Sequence, residues 1–110
     1  MKQYVIDELR PGDYQRLKRY LDARLEKSSM GGLYWLFLGD DVLSETQSEH
    51  ESCRPHYFAL ELEPHRLCCE LLVRSQQRIR CHCIAYATQE QRDWLIHQID
   101  SIFEHLDIMT

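Results

Sequence analysis

Residues 57–87, YFALELEPHRLCCELLVRSQQRIRCHCIAYA, decide the fold. In the first part Phe58, Leu60 and Leu62 alternate with Tyr57, Ala59, Glu61 and Glu63, which is the period of a strand with one buried face. Pro64-His65 interrupts that alternation. Proline presets the backbone for the second position of a tight turn, so closure pairs Glu63 with Arg66. Leu62 then lies opposite Leu67, Leu60 opposite Cys69 and Phe58 opposite Leu71, and a slip of one residue would turn each of them to the wrong face.

A second hairpin is expected across Ser75-Gln76-Gln77. Keeping Leu67, Cys69, Leu71 and Val73 on the side of Ile79, Cys81, Cys83 and Ala85 requires Val73 opposite Ile79. Cys69 then faces Cys83, Glu70 faces His82 and Leu72 faces Arg80. The expectation is a three-stranded antiparallel meander. Its second face, with Tyr57, Leu72, Ile84 and Tyr86 among charged residues, is mixed and available to solvent or a partner.

Outward from this stretch the signals alternate between helix and strand. Residues 2–8 read as a short strand. Arg10-Pro11-Gly12-Asp13 reads as a helix entry, because proline fits the first turn and Asp13 complements the helix dipole. Tyr14, Leu17, Leu21 and Leu25 follow at helical spacing, and Ser28-Ser29 with Gly31-Gly32 are expected to end that helix. Residues 33–38, LYWLFL, form a strand apolar on both faces, either central or at an edge used for association.

Residues 40–55 carry no apolar stripe and are expected to be a surface loop with one or two helical turns, Ser44 and Gln47 having capping-box spacing. Thr88 and Gln91 have the same spacing ahead of a C-terminal helix whose stripe is Trp94, Leu95, Ile99, Ile102, Phe103 and Leu106. The fold class expected is α+β: a two-layer sandwich with two helices on one face of a mostly antiparallel sheet of four to five strands, residues 1–110 forming one domain.

Composition narrows the function classes. Thirteen basic against eighteen acidic side chains give a net charge of −5, which argues against nonspecific binding to nucleic acid or anionic membranes. No apolar run is long enough to cross a bilayer, and residues 1–8 lack the apolar core of a leader. Five cysteines is an odd number, and those at strand positions read as small apolar residues. Reduced thiols in a cytoplasmic protein are therefore expected.

The strongest chemical pattern is His50-x-x-Cys53-x-x-His56 followed by Cys81-x-Cys83, with enough imidazole and sulfur for a tetrahedral zinc site. Against it, the meander register puts Cys81 and Cys83 in an apolar core, away from the polar groups that orient metal ligands. Cys53, beside Arg54 and two histidines in a polar loop, is expected to be the most accessible thiol. Glu70 opposite His82 offers an acid–base dyad, or simply a cross-strand charge pair. Arg74, Arg78 and Arg80 gather at the second hairpin tip without interleaved aromatics, which does not favour nucleic acid.

Two function classes follow. The first is a non-catalytic interaction module that self-associates, or binds another protein, through Trp35, Phe37, Tyr57, Leu72, Ile84 and Tyr86. The second is a metal-binding protein using four of His50, Cys53, His56, Cys81 and Cys83, with zinc as the one cofactor suggested. An enzyme of unidentified reaction comes third. No catalytic residue stands out.

Overall fold

The computed structural model describes residues 2–109 as an α+β fold built on a seven-stranded sheet in which every pair of neighbours is antiparallel. In chain order the elements are β1 (Gln3–Ile6), α1 (Pro11–Arg24), β2 (Glu26–Lys27), β3 (Leu33–Phe37), α2 (Glu45–Glu49), β4 (His56–Glu63), β5 (Arg66–Glu70), β6 (Leu72–Ser75), β7 (Ala85–Tyr86) and α3 (Gln89–His105). No helix among the described residues is long and apolar enough to cross a membrane.

The first hairpin has the expected register, with Leu60 opposite Cys69, Leu62 opposite Leu67 and Glu63 opposite Arg66. On the other side of β4, Tyr34 lies opposite Leu60 and Leu36 opposite Phe58. One face of three strands is thereby buried, and Leu17 and Leu21 of α1 join it in a single cluster with Leu95, Ile99 and Phe103 of α3. Burying each such side chain contributes about 1.5–3 kcal/mol, so this layer dominates the driving force for folding. Thr88 caps α3 as its spacing predicts: its hydroxyl accepts the Gln91 N–H at 3.1 Å and the Gln91 amide oxygen accepts the Thr88 N–H at 3.1 Å.

Helix α1 ends four residues earlier than the Ser28-Ser29 signal. Leu25 turns extended, and Glu26 and Lys27 pair with Trp35 and Tyr34. Gly31 and Gly32 close this hairpin with φ of 74° and 69°, and the Gly32 carbonyl accepts the Leu62 N–H at 2.7 Å. Glycine's left-handed conformation serves a hairpin as well as a helix end, so the sequence signal does not separate the two. With β2 on its far side, β3 is not an edge strand.

The second hairpin departs from expectation. Val73 lies opposite Ala85, not Ile79, and Leu72 opposite Tyr86, not Arg80. The expected Phe58–Leu71 pair does not form, because beyond Leu60↔Cys69 it is β6 that meets the start of β4, His56 opposite Ser75 and Tyr57 opposite Arg74. From Leu60↔Cys69 to Tyr57↔Arg74 the partner takes five steps to β4's three, so two extra residues bulge out around Leu71. An even insertion keeps the parity of the side chains. Alternation therefore runs through the bulge unbroken while the pairing slips. Leu71 donates its N–H to the Lys2 carbonyl at 3.0 Å and accepts the Ala87 N–H at 2.8 Å, so one side of the bent β5–β6 strand passes from β1 to β7.

Residues 76–84 leave the sheet altogether. Residues 76–80 are exposed, Ile79 to 94%, so the Ile79–Cys81–Cys83 alternation belongs to a loop and not to a third meander strand. The expected count of four to five strands becomes seven through the two-residue strands β2 and β7 and the break at Leu71.

Candidate metal centre

Residues 40–55, expected to be a surface loop with one or two helical turns, have those turns but also pack inward, burying Val42, Gln47 and Cys53. Ser44 and Gln47 form the expected capping box on α2, the Gln47 N–H reaching the Ser44 hydroxyl at 3.2 Å and the Ser44 N–H reaching the Gln47 amide oxygen at 3.0 Å. Gln47 is nonetheless buried. Its Nε2 donates to the Cys83 carbonyl at 3.1 Å, while its Oε1 also accepts from Gln91 Nε2 at 2.8 Å. Gln91 Nε2 donates further to the Val42 carbonyl at 3.0 Å. The capping glutamines of two helices thus join across the interior, and one of them holds the backbone of Cys83.

A second tie runs through Ser75. Its hydroxyl donates to the Cys53 carbonyl and accepts the N–H groups of Gln77 at 3.2 Å and Arg78 at 3.1 Å. Short turns then aim the sulfurs: the Cys53 N–H donates to the His50 carbonyl at 3.0 Å, and the Ile84 N–H to the Cys81 carbonyl at 2.9 Å. Sequence reading finds Gln47 only as a cap and does not find Ser75, since the second partner of each lies far along the chain.

These ties bring four of the five predicted ligands together. The ligand atoms of His50, Cys53, Cys81 and Cys83 all lie within 4.8 Å of one another. Cys53 Sγ is 3.9 Å from both Cys81 Sγ and His50 Nδ1, and His50 Nδ1 is 3.2 Å from Cys81 Sγ. A tetrahedron of Zn–S and Zn–N bonds has edges of roughly 3.5–3.8 Å, so these separations need only small adjustments to close on one ion. His56 stands outside the four, its side-chain hydrogen-bond contact being to Cys83, Nε2 to Sγ at 3.4 Å.

The electrostatics separate the thiols. The Cys83 backbone N–H, donated to the Cys81 sulfur, brings that thiol down to about 7, helped by the Cys83, Cys53 and His50 side chains. Burial pushes the Cys83 thiol up to about 12, and sharing of hydrogen bonds with Cys81 and Cys53 adds to the rise. Cys69, in the core opposite Leu60, is also pushed up to about 12 by burial. His56 is held below the ordinary histidine range by burial and then by the charges of Arg54 and His50. Cys53 is only 4% exposed, and the half-buried Cys81 is the most accessible of the five thiols, the reverse of expectation.

Other expected pairings do not form. Glu70 accepts from Arg74 Nε at 3.1 Å, while His82 lies edge-on to His50 with ring centroids 4.6 Å apart, so there is no Glu70–His82 dyad. Cys69 and Cys83 are not cross-strand partners, as Cys69 pairs with Leu60 and Tyr4. On the outer face the Tyr57 ring is tilted against Trp35, centroids 4.8 Å apart, and edge-on to Phe37 at 6.1 Å, beside a hollow of about 270 Å³ lined by Leu33, Trp35, Tyr57, Ala59, Glu70 and Arg74. Leu72 and the exposed Tyr86 are paired on β6 and β7, and Ile84 is half-buried next to a second hollow that includes Tyr57.

Compared with families of related sequences, with curated proteins and with solved structures, the chain finds no match.

Proposed function

We propose that this protein binds one zinc-like ion through His50 Nδ1 and the thiolates of Cys53, Cys81 and Cys83, and that the ion is structural. The observation that carries this is the convergence of one ligand atom from each of those four side chains within 4.8 Å, from two segments far apart in sequence, with His50 Nδ1 facing the Cys53 and Cys81 sulfurs. Three sulfurs and one imidazole suit zinc and other soft metals, and four protein ligands leave no open position for a substrate. The ion would clip residues 81–83, which have few apolar anchors, to the turn at residues 50–53. Its binding energy would then count as folding energy for the loop.

Elemental analysis of protein purified under reducing conditions without a metal-affinity tag should find about one zinc per chain. Cys81→Ser and His50→Ala should lose it, and Cys68→Ala should keep it. Once a chelator has removed the metal, a water-soluble thiol reagent should modify Cys81 first and Cys69 last. A reduced wild-type chain that takes up neither zinc nor Co²⁺ would end this proposal.

A second reading, self-association through the outer face, is supported by the half-buried aromatic group Trp35, Phe37 and Tyr57. Aromatic clusters of this kind mark protein contacts more often than bare surface. Light scattering at high micromolar concentration should then give a dimer that Trp35→Lys converts to monomer. A wild-type monomer under those conditions would remove it.

A further inference from the structure

We propose that His56 is the positioning residue of this centre: it donates Nε2–H to the metal-bound thiolate of Cys83 instead of ligating the ion. This rests on the metal reading above. His56 is completely buried, its Nε2 lies 3.4 Å from Cys83 Sγ, and its Nδ1 has no hydrogen-bond partner. Those facts restrict where its proton can sit.

A neutral imidazole carries one N–H and one lone pair. With the proton on Nδ1, a buried donor would have no acceptor, and the bare Nε2 would face a sulfur that, once bound to metal, has no proton to offer. Lone pair would oppose lone pair. With the proton on Nε2, the donor meets a negatively charged acceptor, and the cost is only an unused lone pair at Nδ1. The doubly protonated ring would add a second unpaired donor and a buried charge. A thiolate at Cys83 therefore selects the Nε2–H tautomer.

Placement suits the role. His56 opens β4 and pairs with Ser75, its carbonyl accepts the Leu38 N–H at 3.0 Å, and the Gln76 N–H donates to the neighbouring Pro55 carbonyl at 3.0 Å. Its backbone is thus fixed by the sheet, whereas Cys83 comes from the loop. Gln47 holds the Cys83 backbone from one side and His56 its sulfur from the other. Hydrogen bonds of this kind orient a ligand and withdraw electron density from it, and their loss typically weakens metal binding by about 10–100-fold.

The test uses the full chain loaded with Zn²⁺ or Co²⁺. Two-bond ¹H–¹⁵N correlation on the zinc form should show His56 protonated at Nε2. His56→Leu should still bind one Co²⁺ with three-thiolate intensity. Its sulfur-to-cobalt charge-transfer band should move to lower energy, and zinc affinity measured against a competing chelator should fall by about 10–100-fold. His56→Gln, which retains an N–H donor, should recover part of both.

A proton on Nδ1 in the zinc form would overturn the proposal, and that measurement stands even if neither variant folds. So would a Leu variant with an unchanged band and affinity within twofold of wild type. Loss of one-to-one cobalt binding in both variants, each with the wild-type circular dichroism, would make His56 a ligand and overturn it too. A wild-type chain that binds neither metal would instead fail at the underlying metal reading, and this inference would fall with it.

Discussion

The β4–β5 hairpin and the loop of residues 76–84 begin with the same pattern, apolar residues at every second position, and end as opposites. In the hairpin Phe58, Leu60, Leu62, Leu67 and Cys69 are all buried against side chains from α1 and α3. In the loop Ile79 is 94% exposed and Cys81 half-buried, and only Cys83 is fully covered. One region is held by area removed from water. The other is held by Gln47, Ser75 and a knot of sulfur and imidazole. Periodicity predicts a buried face only where another layer covers it.

Substitutions can break this contrast. Leu95→Ala, Ile99→Ala and Phe103→Ala should each destabilise by about 2–5 kcal/mol in denaturant titrations, the usual result of emptying a packed core position. Near-neutral values at all three would mean that the hairpin is not covered by α3, and the contrast would collapse. Gln47→Ala should cost less, about 1–3 kcal/mol, because it strips the Cys83 carbonyl of its side-chain donor in a buried setting. An unchanged denaturation midpoint there would show that the loop does not depend on the buried amide pair.

The difference also explains what was legible in the sequence. The register of the first hairpin follows from Pro64 and the alternation on either side of it, both local signals. The caps at Ser44 and Thr88 follow from spacing alone. The second hairpin does not, because the bulge at Leu71 inserts an even number of residues and leaves no trace in the pattern. The ligand set was readable as residue types, but the register assigned to Cys81 and Cys83 placed them in an apolar core and argued against their use. What brings them to His50 and Cys53 are contacts from Gln47 and Ser75, which span 36 and 22 residues and have no periodic signature. By residue type His56 is one more ligand, since only the fold separates a histidine beside a single sulfur from one that closes a set with three.

Leu71 has one more consequence. Because it divides the side of the bent strand between β1 and β7, the outermost strands among the described residues are four and two residues long there, and two at β2 on the opposite side. A long free edge is a template on which a strand from another molecule can add. Among the described residues the edges are short, and the strongly apolar strand β3 has β4 along its whole length on one side and β2 beside Tyr34 and Trp35 on the other. Backbone pairing with a second copy therefore has only short edges to use, and β2 lies against Tyr34 and Trp35 at the centre of the apolar strand β3.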